Sequence, residues 1–495
     1  CFPVSRSFVF GQLLRHRGNM QNEDPLDKDQ ASELMRDSGL KAILLGHTRD
    51  PDFVERVCRD LGPDDFFHLP PTASACFERT RATGGCAGEI LHEAGSRLRE
   101  ENEPVESIHK LFSDLWEEAP CDEPRYDQDY LAYSGVPISL DGRVVTGIYD
   151  SGKTSRLQKE VISCLRETLA EKERSLKARV AVVLEPLKVR TVSCGEAREY
   201  FAARFFQKEM HRSIAQLKCF AINRPVCPTD VAGLYSKELE TDGAVWHSID
   251  YSDATDKLSA SLSRELLDFV IRILGYEEYR DVLRSVLAPH EIHYGGVVSG
   301  AELLAQIEQG ELPEDLVSSL EWKCHPLLSD SKPGDESCRC SFDGCQGICR
   351  WLPAARILPW PKYRLAPVQQ TNGQLMGSIL SFPILCLANL CTYLMAWKQV
   401  YGSFRSPAGG SCLDHVLVNG DDMIYFANWS LREAQGYWAD RIGLTMTVGK
   451  TYSSVWYANF NSTCFRWDGS VMKQVNHLRT GLFFNQRKVQ ADERK

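Results

Sequence analysis

Val416-Leu417-Val418-Asn419-Gly420-Asp421-Asp422-Met423-Ile424-Tyr425-Phe426 is the stretch on which the fold reading turns. Two apolar, β-prone runs flank a short polar centre. Asn-Gly supplies the positive φ angles that a two-residue hairpin demands. Such a hairpin carries Asp421 and Asp422 to an exposed tip on strands buried elsewhere. Adjacent carboxylates repel each other, and a divalent cation is their natural partner. Alone, Gly-Asp-Asp is a weak signal, arising by chance in about one chain in ten of this length. A solvated turn would read the same way.

A second acidic group lies upstream at Asp250-Tyr251-Ser252-Asp253-Ala254-Thr255-Asp256, after the apolar run around Val245 and Ile249. The pattern predicts a short strand ending at Asp250 and a helix beginning near Ser252, with Asp253 and Asp256 on one helical face. An N-capped surface helix is the bland alternative, since Ser and Asp favour those positions. Two carboxylate sites distant in sequence invite a two-metal centre that clamps an in-line phosphoryl displacement. Between them, Asn372-Gly373-Gln374-Leu375-Met376-Gly377-Ser378 leads into the apolar run Ile379 to Met395, with Ser381 and Asn389 inside it. Glycines ahead of such a helix suit a loop lying against a ligand. Most of the run reads as a packed core helix in either case.

Composition frames these motifs. The chain has 495 residues, 43% hydrophobic and 25% charged, the range of ordinary folded proteins. Its net charge of −10 argues against a nucleic-acid binder held by its overall field. The distribution says otherwise. Glu100 to Asp129 carries eleven acids against Lys110 and Arg125, whereas Ser151 to Phe220 carries fifteen Lys and Arg against eight Glu. A basic segment of +7 is therefore hidden in an acidic average. Within it, Ser155 to Ala170 and Ala197 to Cys219 have helical spacing, and Val180 to Val192 is strand-like.

The 18 cysteines are too sparse for a disulfide-stapled scaffold and read as mostly reduced thiols. One cluster, Cys338, Cys340, Cys345 and Cys349, with Cys324 and His325 upstream, has enough ligands for a structural Zn²⁺ but lacks regular spacing. Thr371 to Trp397 has no charged residue and is long enough to span a bilayer. Its Asn, Gln, Ser and Thr side chains instead predict a helix buried in a large soluble protein, with no transmembrane segment. Residues 1 to 22 hold Arg6, Arg15 and Arg17 and no acid, a loose match to an organelle-targeting segment that reads better as a basic arm. Gly147-Ile148-Tyr149-Asp150-Ser151-Gly152-Lys153-Thr154 satisfies the P-loop pattern in full. The strand before it is short, and no metal-binding Asp follows on an apolar strand, so the match reads as coincidental or as a flexible lid.

Taken in order, these motifs resemble those of the RNA-directed RNA polymerases of positive-strand RNA viruses, most closely the ourmia-like and narnavirus-related group. Glu185 to Val192 is similar to the basic motif F, Asp250 to Asp256 to motif A, and Gly373 to Asn389 to motif B. Gly420-Asp421-Asp422 is similar to motif C, Gly443 to Lys450 to motif D, and Asn461 to Phe465 to motif E. The resemblance covers more than half the chain. It implies an α+β right-hand polymerase fold of fingers, palm and thumb, with an antiparallel palm sheet and helix-rich fingers. It divides the chain into an N-terminal accessory region at 1–130, fingers with motif F at 131–245, and a palm at 246–465. The palm is interrupted by a fingers or insertion segment at about 275–365. A short or incomplete thumb follows at 466–495.

The same resemblance implies two Mg²⁺ ions, or Mn²⁺, held by Asp250 and Asp421 with Asp422 assisting. It implies Lys450 as proton donor to the leaving pyrophosphate. Lys188 and Arg190 would bind the triphosphate of the incoming nucleotide, with Gly377 in its pocket, and Asp256, Ser381 and Asn389 would sense its ribose. The implied partners are NTPs, an RNA template with its nascent strand, and viral genomic RNA, in the host cytoplasm or in mitochondria. Two departures stand out. The position four residues after Ser381, where many polymerases have the motif B Asn, is Leu385, and Asn389 lies one turn further on. About thirty residues follow motif E and the chain begins at Cys1, the pattern of an incomplete chain or a minimal thumb. Two rival readings are a P-loop NTPase or helicase using Lys153 and Thr154, and a non-catalytic cysteine-cluster RNA-binding protein.

Overall fold

The computed structural model describes residues 6–48, 63–67, 71–100, 156–185, 188–222, 224–241, 243–294, 298–310 and 362–475. It also describes the short strands 139–140, 143–144, 322–325, 351–352 and 489–490. The Gly147–Thr154 loop and the cysteines 338, 340, 345 and 349 lie outside the described residues.

The elements that position the site are, in chain order, α1 (Arg6–Met20), β1 (Leu176–Glu185), β2 (Lys188–Gly195), β3 (Val245–Ile249), α2 (Ala254–Lys257), α3 (Ala260–Leu274) and β4 (His290–Tyr294). They continue with α4 (Ser381–Tyr401), β5 (Val416–Asn419), β6 (Asp422–Ala427), α5 (Trp429–Arg441), β7 (Tyr452–Ser454), β8 (Tyr457–Phe460), β9 (Thr463–Trp467) and β10 (Met472–Val475). The mixture is α+β. A four-stranded antiparallel sheet in the order β5-β6-β3-β7 forms the centre. A three-stranded antiparallel sheet, β8-β9-β10, lies beside it. The run at 176–195 folds as the β1–β2 hairpin, and β1 also pairs with β4 in parallel.

β5 and β6 are almost wholly buried, as their unbroken apolar runs predict for central strands. α4 is buried from Ser381 to Trp397 apart from Phe382, so it reads as apolar all round because it runs through the core. Its polar groups are used inside: Thr392 Oγ1 donates to Asn389 O at 2.7 Å. No described helix is long and apolar enough to cross a membrane.

The described N-terminal residues pack into the same core as the central sheet. Leu34, Met35, Leu40, Phe66 and Ile90 share the main hydrophobic core with α4 and the central sheet. Phe10, Leu13 and Leu14 of α1 pack with Val180, Val182, Ile292 and Tyr294 in a second cluster.

Candidate active site

The hairpin at 416–427 forms one residue out of the expected register. Asn419 pairs with Asp422, so the two turn residues are Gly420 and Asp421. Gly420 adopts φ +65 and Asp421 stays at negative φ, the pattern of a II′ turn and not of an Asn-Gly I′ turn. Asp421 therefore sits at the tip and Asp422 begins β6. Burial, followed by the charges of Asp421 and Asp250, pushes the Asp422 carboxyl up to about 7, partly opposed by Lys450. The pair is thus not simply an exposed tip.

Asp250 follows directly on β3, whose register against β6 sets Ile249 opposite Met423. Its backbone is clamped: Thr447 N donates to Asp250 O at 2.9 Å, and Asp250 N donates to Thr451 Oγ1 at 3.0 Å. Lys450 lies on the same loop and places Nζ 3.3 Å from both carboxylate oxygens of Asp250. The helix expected from Ser252 starts later, at Ala254, because Ser252 N is bound to Thr445 O. It also breaks at Leu258, and Ser259 caps α3 by accepting from Leu262 N at 3.2 Å. Asp253, at φ +51, sits outside the turn of helix that holds Asp256. Burial, and then the charge of Asp253, pushes the Asp256 carboxyl up to about 7.

The loop before α4 is tied to this unit. Gln374 N donates to Thr255 O at 2.7 Å, and Asn372 Nδ2 donates to Lys257 O at 3.2 Å. A Cβ on Gly377 would sit 1.9 Å from Ser193 O, so only glycine lets this loop approach β2 so closely. Ser381 Oγ donates to Leu375 O at 3.0 Å and holds the loop closed.

These elements enclose a cleft of about 300 Å³. Arg190, Asp256, Gly377, Ser381, Asp421 and Lys450 all line it, six of the residues singled out from sequence. Asp250 joins them through Lys450, and Asp422 through the mutual repulsion of the three carboxylates. Lys188 begins β2 of the hairpin that carries Arg190. Among the described residues, no three His, Cys, Asp or Glu side chains form a ready-made metal cage.

Asn389 is not among the residues that line the cleft. It is fully buried, its Nδ2 donates to Gly420 O at 3.0 Å and Asp421 O at 3.4 Å, and its Oδ1 accepts from Tyr251 O–H at 3.0 Å. Gln435 Nε2 donates in turn to the Tyr251 oxygen at 2.6 Å. The extra helical turn noted in the sequence therefore moves this amide below the Gly420–Asp421 turn, which it holds, and away from the cleft. Tyr251 was not singled out from sequence, and neither were Gln12, Arg15 and His16 of α1, which also line the cleft. The only local signal for α1 was its acid-free run of arginines, which reads as an arm when taken alone.

No protein-family model matches the chain. The RNA-dependent RNA polymerase of Ourmia melon virus (isolate Melon/Iran/VE9) is 25% identical over 328 residues, covering 63% of this chain and 30% of that protein. The chain thus spans under a third of the length of this curated relative. Among solved structures, the RNA-dependent RNA polymerase of a human picorbirnavirus overlays with a TM-score of 0.35 and 11% identity, over 61% of this chain and 45% of the other. Its insertion-loop deletion mutant overlays at 0.34, also at 11% identity, over 59% and 45%.

Proposed function

We propose that this chain carries the active site of a viral RNA-directed RNA polymerase and replicates a positive-strand genome by template-directed nucleotidyl transfer. One observation carries the reading: Asp250, Asp421 and Asp422 crowd together with Lys450 at a cleft that also holds Arg190, Asp256 and Ser381. The central sheet and its helices would be the palm, and the β1–β2 hairpin part of the fingers.

In this reaction the 3′-oxygen of the growing RNA bonds to the α-phosphorus of the NTP. The bond from that phosphorus to the bridging oxygen breaks, and pyrophosphate leaves. The demand is for in-line positioning and charge neutralisation, with no covalent intermediate on the protein. Arg190, and Lys188 beside it on β2, would bind the triphosphate. Asp256 and Ser381 would face the ribose, and the buried Asp256 carboxyl, pushed up to about 7, can donate as well as accept near neutrality. Lys450 would pass a proton to the departing pyrophosphate.

The carboxylates also suit Mg²⁺ or Mn²⁺. Burial raises the Asp422 carboxyl first, and the charges of Asp421 and Asp250, which Lys450 partly opposes, raise it further. Mg²⁺ takes one or two carboxylates and completes its shell with water and substrate phosphates. Asp250 and Asp421, assisted by Asp422, would hold two such ions, which when bound offset the charge of the triphosphate and activate the attacking hydroxyl.

Incorporation of NTPs on an RNA template by wild type, Asp421→Ala and Lys153→Ala tests the reading. Loss in the Asp421 variant alone is expected. Loss only in the Lys153 variant would transfer the chemistry to the P-loop-like segment. No incorporation by any variant, with RNA binding intact, would favour a binding module.

A further inference from the structure

Helix α1 lies far in sequence from every polymerase-like motif, yet it forms part of the cleft wall. It is fastened there from several directions. Phe10, Leu13 and Leu14 are buried against β1 and β4 in the second hydrophobic cluster. The His16 ring nitrogen Nδ1 lies 3.1 Å from the Tyr294 hydroxyl, and Arg17 Nη1 donates to Ala366 O at 2.9 Å. At the end of the helix, Met20 O accepts from Thr371 N at 2.9 Å, which binds α1 to the loop before α4. A helix held this firmly presents a fixed face.

That face is polar and points into the cleft. Gln12, Arg15 and His16, spaced i, i+3 and i+4, all line it. His16 is consumed by its contact with Tyr294, and burial pulls its pKa down to about 4, so it adds no charge near neutrality. Arg15 is different. Buried His16 and Arg17 flank it in sequence, yet it is itself exposed, and its guanidinium makes no ion pair or hydrogen bond among the described residues. A cation aimed into a cleft without a counter-ion, on a helix anchored at both ends, is arranged for an anion that arrives from outside. Another cation of the cleft, Lys450, is already paired with Asp250.

We propose that Arg15 is a phosphate-binding residue of the nucleotide site: it contacts the triphosphate of the incoming nucleotide and makes α1 part of the substrate pocket. The assignment rests on the polymerase reading for the identity of the nucleotide. It favours the NTP over the RNA backbone because Arg15 shares one cleft with Asp256, Gly377, Ser381 and Asp421. An arginine fork is suited to terminal phosphate oxygens, which it can engage in pairs.

The test compares the full chain with Arg15→Ala and Arg15→Lys. Three quantities are measured: the KM for NTP in templated incorporation, the Kd for GTP with Mg²⁺ by direct binding, and the Kd for the template RNA. The Ala variant is expected to raise both the KM and the GTP Kd about ten-fold, which corresponds to about 1.4 kcal/mol. Its kcat and RNA affinity should stay near wild type, and Lys should restore part of the loss. Thermal stability should not change, because the side chain is exposed and unpartnered. Unchanged GTP binding would overturn the proposal, and so would a loss of RNA affinity with the NTP constants intact. If wild type bound GTP but incorporated nothing, the polymerase reading would fail, while the Arg15 binding ratio would still decide this assignment.

Discussion

Replacing Asn389 by alanine separates two roles that its position in the sequence leaves open. If its amide reads the ribose, the variant loses discrimination between NTP and dNTP and keeps its rate. The geometry points to a different outcome. Asn389 makes one well-formed buried bond to Gly420 O at 3.0 Å and a longer one to Asp421 O at 3.4 Å, and it accepts from Tyr251 at 3.0 Å. Truncation leaves the Gly420 carbonyl without its donor in a dry environment, at about 1–3 kcal/mol. The longer bond adds little, and the vacated volume adds a smaller packing loss. A destabilisation of about 2–4 kcal/mol follows from these magnitudes. Because the lost bonds hold the turn that carries Asp421, incorporation of NTP and of dNTP should slow by the same factor, about 10²-fold for a displaced catalytic group. Denaturant titration reads the first quantity, and single-turnover incorporation of matched NTP and dNTP reads the second. Tyr251→Phe should repeat the pattern more weakly, at about 1 kcal/mol. An Asn389→Ala variant with a near wild-type NTP rate and collapsed sugar discrimination would refute the reasoning.

Gly377→Ala forces a methyl group against Ser193 O, a backbone atom that cannot swing away, and should cost about 1–3 kcal/mol in denaturant stability and lower incorporation. Lys450→Met removes an ion pair that is more than half exposed on the lysine side, so stability should change by less than about 1 kcal/mol. The same change should slow single-turnover incorporation by about 10²-fold, the usual contribution of a proton donor. Asp256→Asn tests the buried carboxyl through pH. In the folded chain Asp256 keeps a proton up to about 7, whereas its ordinary value is 3.8, so the folded state binds more protons over that interval. Wild-type stability should therefore fall as pH rises from about 4 to 7 and level off above. The Asn variant should lack this component, which is on the order of 4 kcal/mol. Parallel stability curves for the two proteins across that range would show that Asp256 titrates normally.

Much of this site is legible in the one-dimensional pattern because its parts are local. Unbroken apolar runs on either side of a glycine announce the 416–427 hairpin, since strand and turn preferences act over a few residues. Gly373 and Gly377 before an apolar run announce a loop that approaches other backbone closely, as Gly377 does at Ser193. The hairpin register was missed by one residue because both Asn419-Gly420 and Gly420-Asp421 are acceptable turn pairs. Pairing of β6 with β3 decides between them, and that contact spans more than 170 residues.

From sequence alone came the order of the motifs, the basic segment hidden in an acidic average, and the identities of the three carboxylates. Their chemistry as a group came from tertiary structure. Burial and mutual repulsion push Asp422 up to about 7, and no spacing rule can supply the solvent that is missing around it. The same is true of Asn389, whose helical position is evident but whose partners are carbonyls 31 and 32 residues away. It is true above all of α1. An acid-free run of arginines is compatible with a solvated arm, and only the burial of Phe10, Leu13 and Leu14 against a distant sheet turns Arg15 toward the cleft. Local sequence sets what each segment can form. Which side chains then share one desolvated space depends on how hydrophobic faces far apart in the chain find each other.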